Sequence, residues 1–216
     1  MPGMASKAGL EPFLTPERLA PYRGAVGGDL DAALPLYEWN TQIGAALLEV
    51  LGHLEIVMRN AMDRSLSVWF STTPLTGEWY DDPLHLFDSY RTDDVQAAHG
   101  RLARAGKADT HGRVIAELPF GFWRFLLSGR YQTTLWAQAL RHAFPGLQPQ
   151  SRAVVYGIVD DLGTLRNRIA HHEPIHHLDL AKRHADLLQL AAYIDPGVGA
   201  WVDSVSRVAT VLAARP

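Results

Sequence analysis

The spacing of apolar residues constrains the fold of this chain more than any other feature. Between residues 35 and 70, apolar residues recur mostly four and then three positions apart, at Leu47, Leu51, Leu54, Met58, Ala61 and Val68. Residues with this spacing share one face of a helix, so the sequence predicts a long helix from about Pro35 to Phe70. No segment shows sustained alternation of apolar and polar residues, the pattern typical of half-buried strands. We therefore expect an all-α chain.

Capping residues predict where several other helices begin. Thr15 followed by Pro16 is typical of an N-cap and a first helical position. Thr92-Asp93-Asp94 and Thr110 resemble further N-caps, and they are expected to open short helices that end near Gly106 and Pro119. Between residues 119 and 145 the text is crowded with aromatic residues, and it predicts two buried helical segments that separate at Gly129.

A second amphipathic pattern lies in the last third of the chain. From Pro149 onward, apolar residues recur three and four positions apart, at Val155, Ile158, Leu162, Leu165 and Ile169. This helix is expected to stop near Pro174, because proline lacks the backbone N–H and clashes with the preceding turn. Two more helices are predicted near 178–194 and 197–213. We divide the chain into an N-terminal segment (1–28), a main domain (29–195) and a C-terminal helix packed on it (196–216).

Charge is distributed unevenly along the chain. Residues 1–98 hold 6 Lys/Arg and 14 Asp/Glu, whereas residues 99–184 hold 12 and 6. Of the 20 basic residues, 17 are arginine, whose planar guanidinium pairs with phosphate in a bidentate way. An anion-binding surface and a codon bias both explain this composition.

Sequence features also bear on the compartment. The chain has no cysteine, which excludes disulfides and thiolate metal sites. The N-terminal residues lack an apolar stretch of signal-peptide length. The longest run without Asp, Glu, Lys or Arg has thirteen residues, fewer than the roughly 18 of a membrane-spanning helix. These features predict a soluble cytoplasmic protein with no membrane partner.

The stretch LRNRIAHHEPIHH, residues 165–177, contains four of the ten histidines. Residues 172–176 match H-E-x-x-H, in which two histidines on one helix face bind zinc and the glutamate activates water. Pro174 at the centre of the match would break that helix, so we interpret it as a coincidence. Two further interpretations of the four histidines are a looser metal site and a cap on the last carbonyls of the preceding helix. We favour the cap, and predict no metal and no cofactor, because no other ligand cluster occurs in the sequence.

Another interpretation of this stretch uses Arg166, Asn167 and His171. At about 100° per residue, Asn167 and His171 lie opposite the apolar stripe of their helix and Arg166 borders it. An arginine, an amide and an imidazole on one outward face suit the handling of phosphate, because arginine fixes the charge and histidine moves a proton near neutral pH.

The segment from Arg166 to His171 has the R-N-x-x-x-H form and resembles the motif of HEPN ribonuclease domains. The wider text LRNRIAHHEPI is similar to the Abi-like (abortive infection, AbiD/AbiF-type) branch of that superfamily. Two upstream blocks agree with it in order, LYEWNTQIGAALLEVLGHLEIVMRNAM (36–62) and LPFGFWRFLLSGRY (118–131). The resemblance implies a HEPN-like helical bundle with extra helices, as a homodimer.

The resemblance also implies a metal-independent endoribonuclease that acts in phage defence or as a toxin, in which the 2′-OH of the RNA attacks the adjacent phosphate. His171 would be the general acid or base and Arg166 would stabilise the transition state. Asn167 would fix the local backbone or His171, and His172 would be the alternative proton carrier if the helix ends early. The alternative is a catalytically silent HEPN module that binds a noncoding RNA or a protein partner such as an antitoxin.

The first block adds supporting candidates. Glu55 and Arg59 stand at i and i+4, a favourable helical pair, and Asn60 follows. Either the pair is a solvated salt bridge, or Glu55 orients Arg59 or a residue of the motif. Tyr37, Trp39 and Asn40 are expected to pack against or line the same area.

Overall fold

A single long helix organises the fold. The computed structural model describes residues 11–216, and its longest helix, α3, spans Leu30–Phe70. It begins five residues before the predicted start because the Asp29 side chain accepts a hydrogen bond from the N–H of Asp31 at 2.8 Å and caps it. The predicted apolar face is buried through Met58, and Ala61 packs partly buried against the core, whereas the prediction for Val68 is wrong because it is 63% exposed. The buried face continues through Met62, Leu66 and Phe70.

The other helices surround α3, and no strand occurs in residues 11–216. The all-α prediction is therefore confirmed. The remaining helices, in chain order, are α1 (Glu11–Leu14), α2 (Pro16–Ala25), α4 (Ser89–Arg104), α5 (His111–Glu117), α6 (Phe120–Leu126), α7 (Arg152–Ala170), α8 (Leu180–Ile194), α9 (Pro196–Val205) and α10 (Val208–Ala213).

Two glycines bring α7 close to its neighbours. A Cβ atom at Gly44 of α3 would lie 3.2 Å from Cγ2 of Ile169, and one at Gly163 of α7 would lie 2.9 Å from Cε1 of Phe120. Both distances are tighter than ordinary van der Waals contact, so these glycines set how closely α7 approaches α3 and α6. The C-terminal end of α7 is thereby held beside the middle of α3.

The helix starts were predicted with mixed success. Thr15 caps α2, with its hydroxyl accepting a hydrogen bond from the N–H of Arg18, and Thr110 directly precedes α5. The prediction for residues 92–94 is wrong, because Asp88 caps α4 through the N–H of Arg91 at 2.9 Å. After the predicted break at Gly129, the chain forms short 3₁₀ and π segments and no regular α-helix.

Both ends of the described chain join the core of the predicted main domain. Leu19 and Tyr22 of α2 are fully buried, and the indole N–H of Trp39 in α3 donates to the carbonyl of Val211 in α10 at 2.7 Å. The single C-terminal helix predicted for residues 196–216 is wrong. Two helices form there, separated by Ser206 in extended conformation. Residues 1–10 of the predicted N-terminal segment lie outside the described residues.

Helix α3 is long and apolar enough to cross a membrane by length and composition alone. The central helix of a packed core has the same properties, and α3 buries residues along its whole length. The cytoplasmic location stays a prediction.

Candidate functional site

The C-terminal turns of α7 present the motif to solvent. Val155, Leu162, Leu165 and Ile169 are buried, as the spacing predicts. The side chains of Arg166, Asn167 and His171 are all exposed. The helical phase that places the motif opposite the apolar stripe is therefore confirmed.

Helix α7 ends at Ala170, four residues before the proline that was expected to stop it. The N–H of Glu173 donates to the carbonyl of Arg168 at 2.8 Å, and the N–H of His172 donates to that of Ile169 at 2.9 Å. With φ of 57° at His172, these two bonds form a Schellman motif, which closes a helix through a left-handed residue. His171 is the C-cap, so its imidazole stands at the very end of the helix.

The segment after α7 does not form the zinc-binding helix that H-E-x-x-H requires. His172 is exposed in a left-handed conformation, while His176 is only 5% exposed and packs against Tyr22, with ring centroids 5.0 Å apart. The four histidines do not converge on a common point. Within residues 11–216, no group of three or more His, Asp or Glu side chains is arranged to hold a metal ion.

Asn40 of α3 anchors the segment that follows α7. Its Oδ1 accepts hydrogen bonds from the N–H groups of Ile175 at 2.8 Å and His176 at 3.1 Å, and the residue is 6% exposed. A buried backbone N–H needs such an acceptor. The sequence suggested that Asn40 packs near the site, but it did not indicate that the amide anchors the chain after the motif.

His176 is a core residue and not part of an exposed loop. Its Nδ1 is buried without a hydrogen-bond partner. Burial lowers the pKa of the imidazole below its usual range, and the charges of His177 and Arg215 act in the same direction. His177 is exposed, as expected.

The effect of replacing His176 on the free energy of unfolding is therefore expected to depend on the new side chain. His176→Ala should lower the free energy of unfolding by about 2 to 4 kcal/mol, because it removes a buried ring. His176→Phe keeps a buried ring without an unpaired nitrogen, and should lose less stability at pH 7 than His176→Ala.

The pH dependence of these variants provides a second readout. Because the folded-state pKa is lowered, the contribution of neutral His176 is present above a pH of about 6.5 and lost as the pH falls. In urea unfolding, the free energy of unfolding should fall less from pH 7 to pH 5 for His176→Phe than for the wild type. The buried His184, whose pKa burial also lowers, cancels in this comparison. Equal acid losses would contradict the assignment.

Two clefts flank the end of α7. The larger, which we call the His171 cleft, has a volume of about 910 Å³ and lies between α1, α2, α3 and the segment after α7. The residues in its wall that carry rings or charge are Phe13, Arg18, Tyr37, His171, His172 and Glu173. The Glu173 carboxylate lies 4.0 Å from the Arg168 guanidinium, so it is partly neutralised.

The smaller cleft, which we call the Arg166 cleft, has a volume of about 460 Å³ and lies between α3, α5, α6 and α7. Glu55, Arg166 and Asn167 line it. The guanidinium of Arg166 donates only a long hydrogen bond, 3.4 Å, to Oδ1 of Asn167. Arg124, also in the wall, is paired with Asp160.

The motif is thus divided between two clefts of one chain. Arg166 and His171 are five residues apart, which corresponds to about 140° around the helix. Asn167 accompanies Arg166, not His171. The arginine and the imidazole of one chain thus do not line a common cleft, and their joint action stays a prediction.

Of Glu55, Arg59 and Asn60, only Glu55 lines a cleft beside the motif. No Glu55–Arg59 salt bridge is present within residues 11–216. Arg59 instead donates a weak hydrogen bond to the carbonyl of Ala116 at 3.4 Å, and its Nε is buried without a partner. Asn60 is exposed and lines neither cleft.

These features define an all-α protein with an arginine and histidine motif at one helix end, between two clefts. Comparison with protein-family models, curated proteins and solved structures gives no match to the chain. The resemblance to HEPN proteins therefore rests on the three sequence blocks.

Proposed function

We propose that the protein is a metal-independent endoribonuclease of HEPN type that acts in phage defence or as a toxin. One observation carries the proposal most strongly. The His171 imidazole stands exposed at the end of an ordered helix, and it makes no hydrogen bond or ion pair with any residue of the described chain. An exposed imidazole that stabilises nothing is available to move protons near neutral pH.

In the proposed reaction the ribose 2′-OH attacks the adjacent phosphorus and the 5′-oxygen of the next nucleotide leaves. The products are a 2′,3′-cyclic phosphate and a 5′-hydroxyl. His171 takes or donates the proton, with His172 as the alternative carrier in the same cleft. Arg166 stabilises the negative charge of the transition state, as preorganised cations do, and Asn167 holds the guanidinium.

The reaction requires a homodimer, because one chain directs Arg166 and His171 into different clefts. From the wall of the His171 cleft toward the Arg166 cleft, α3 exposes small and apolar residues on one face, at Ala45, Leu48, Gly52 and Ile56, of which Ala45 and Leu48 also line the His171 cleft. A two-fold contact through this face would place the two motifs around one axis. An arginine from one chain and an imidazole from the other would then flank the same phosphate.

The divergence of Arg166 and His171 also favours a second candidate, the catalytically silent HEPN module that binds a noncoding RNA or a protein partner. A monomer with two separate clefts would bind without cleaving. Cleavage and binding therefore have to be measured side by side.

The test is incubation of the purified protein with labelled single-stranded and structured RNA in EDTA. We expect cleavage with cyclic-phosphate ends, and its loss in His171→Ala and in Arg166→Ala. Both variants should melt like the wild type, because exposed substitutions change stability by about 0.5 kcal/mol or less.

His177→Ala and Arg104→Ala are matched controls, since both residues are exposed outside the two clefts. Loss of all cleavage in EDTA with recovery on addition of one divalent ion would contradict the metal-independent mechanism. Binding without cleavage, unaffected by His171→Ala, would favour the silent module.

A further inference from the structure

We infer that the His171 cleft binds one unpaired ribonucleotide of the RNA, with its phosphate on Arg18 and its base against the ring of Phe13. The inference rests on the proposed function, because it assigns to that function a substrate subsite beside His171. It concerns α1 and α2, which lie outside the three sequence blocks of the HEPN resemblance.

The dimensions of the cleft suit a nucleotide. Its volume of about 910 Å³ is at the upper end of the roughly 300 to 1,000 Å³ typical of small-molecule sites. Proteins that recognise RNA commonly take unpaired bases out of the strand and stack them on aromatic side chains. A cleft of this kind beside a proton-transfer group positions one sugar and its phosphate.

Arg18 supplies an unneutralised cation in this cleft. Its guanidinium lies over the ring of Tyr37, 5.8 Å from the centroid, and Tyr37 packs edge-on against the buried Tyr22 at 5.3 Å. No carboxylate of the described residues lies within salt-bridge distance of Arg18. A guanidinium that is supported by a ring and has no carboxylate partner among the described residues is suited to bidentate contact with phosphate.

Phe13 supplies an apolar surface at the wall of the same cleft. The residue is 84% exposed, and its ring makes no contact with another ring in residues 11–216. Its ring is therefore accessible from the cleft and free to contact a ligand there. Bases of any sequence stack on such rings, because every base has a π face.

Charge favours RNA over a protein segment as the occupant. Arg18 lines the cleft, and Glu173, the one carboxylate among the described residues of its wall, lies 4.0 Å from the guanidinium of Arg168. The cleft is therefore a better site for a phosphodiester than for a neutral or acidic peptide.

The inference is tested by the affinity for a short labelled single-stranded RNA whose 2′-hydroxyls carry methyl groups, so that 2′-OH attack is blocked. We expect Arg18→Ala to bind about tenfold more weakly than the wild type. The slope of log K against log salt should also fall by about 0.7, the value for one phosphate contact with a single strand. Arg18→Lys keeps the charge and should retain the slope.

Phe13→Ala should also bind about tenfold more weakly, but with an unchanged salt slope, because stacking does not release counterions. Phe13→Trp should restore binding. Arg104→Ala, which removes an exposed arginine from α4, is the matched control and should change neither quantity. Melting temperatures establish that each variant is folded.

Cleavage of unmodified RNA by the same proteins separates the two proposals. Wild-type affinity and salt slope in both Arg18→Ala and Phe13→Ala would overturn the nucleotide subsite, whether or not the wild type cleaves. Dependence of binding on both residues, without cleavage by the wild type, would support the subsite and overturn the ribonuclease. Absence of RNA binding by the wild type would overturn the subsite, and cleavage would then be judged on its own.

Discussion

Mixed dimers that pair one wild-type chain with one His171→Ala chain are expected to be almost inactive, not half active. In-line displacement needs one group to take the 2′-proton and another to protonate the leaving 5′-oxygen. If the two motifs share one cleft at the two-fold axis, the two imidazoles serve these two steps, and loss of either one stops the reaction.

The mixed dimers are made by co-expression of differently tagged chains and purification through both tags. A rate of half the wild type per mixed dimer would show that two independent sites exist, and the shared cleft would have to be abandoned. A dimer of one His171→Ala chain with one Arg166→Ala chain then locates those sites. Sites that combine an arginine and a histidine from different chains would leave one of two intact, whereas sites complete within one chain would both be lost.

The largest expected effect on stability comes from Asn40→Ala. The substitution leaves the buried N–H groups of Ile175 and His176 without their acceptor, and each unsatisfied group costs about 1 to 3 kcal/mol. We expect a loss of about 2 to 4 kcal/mol in urea unfolding. RNA cleavage should fall as well, because the segment that forms one wall of the His171 cleft loses its anchor.

Asn60→Ala is the matched control for this experiment, since it removes the same side chain from an exposed position on the same helix. Asn40→Asp keeps an acceptor oxygen and should lose less stability than Asn40→Ala. If Asn40→Ala and Asn60→Ala were equally stable, the two backbone groups would have other partners, and the proposed anchor would be wrong.

The fold class could be predicted because helical spacing is a local property of the sequence. The same spacing placed Arg166 and His171 at exposed positions on α7. The predictions from local sequence were wrong where contacts with other parts of the chain determine the structure. Val68 matches the apolar spacing of α3 but faces solvent. Helix α7 closes through the left-handed His172 because backbone hydrogen bonds end the helix before Pro174 is reached.

The clefts could not be predicted, because residues far apart in the chain form them. Phe13 and Arg18 line one cleft with His171 only because α1 packs on α2 and α2 packs on α3. Nothing in their local sequence marks them, since one exposed phenylalanine and one arginine are common near a helix start. The buried side-chain oxygen Oδ1 of Asn40 likewise gains its role from a segment 135 residues away.

The continuous helix α3 also fixes the distance and the relative orientation of the two clefts. Leu48 lines one cleft and Glu55 the other, and seven residues of uninterrupted helix separate them by about 10 Å. A single inserted residue in this stretch would rotate everything beyond it by about 100° and turn the second cleft away from the first. Insertion or deletion of a residue between these two positions is therefore expected to disturb the two clefts more than substitution of an exposed residue in the same stretch.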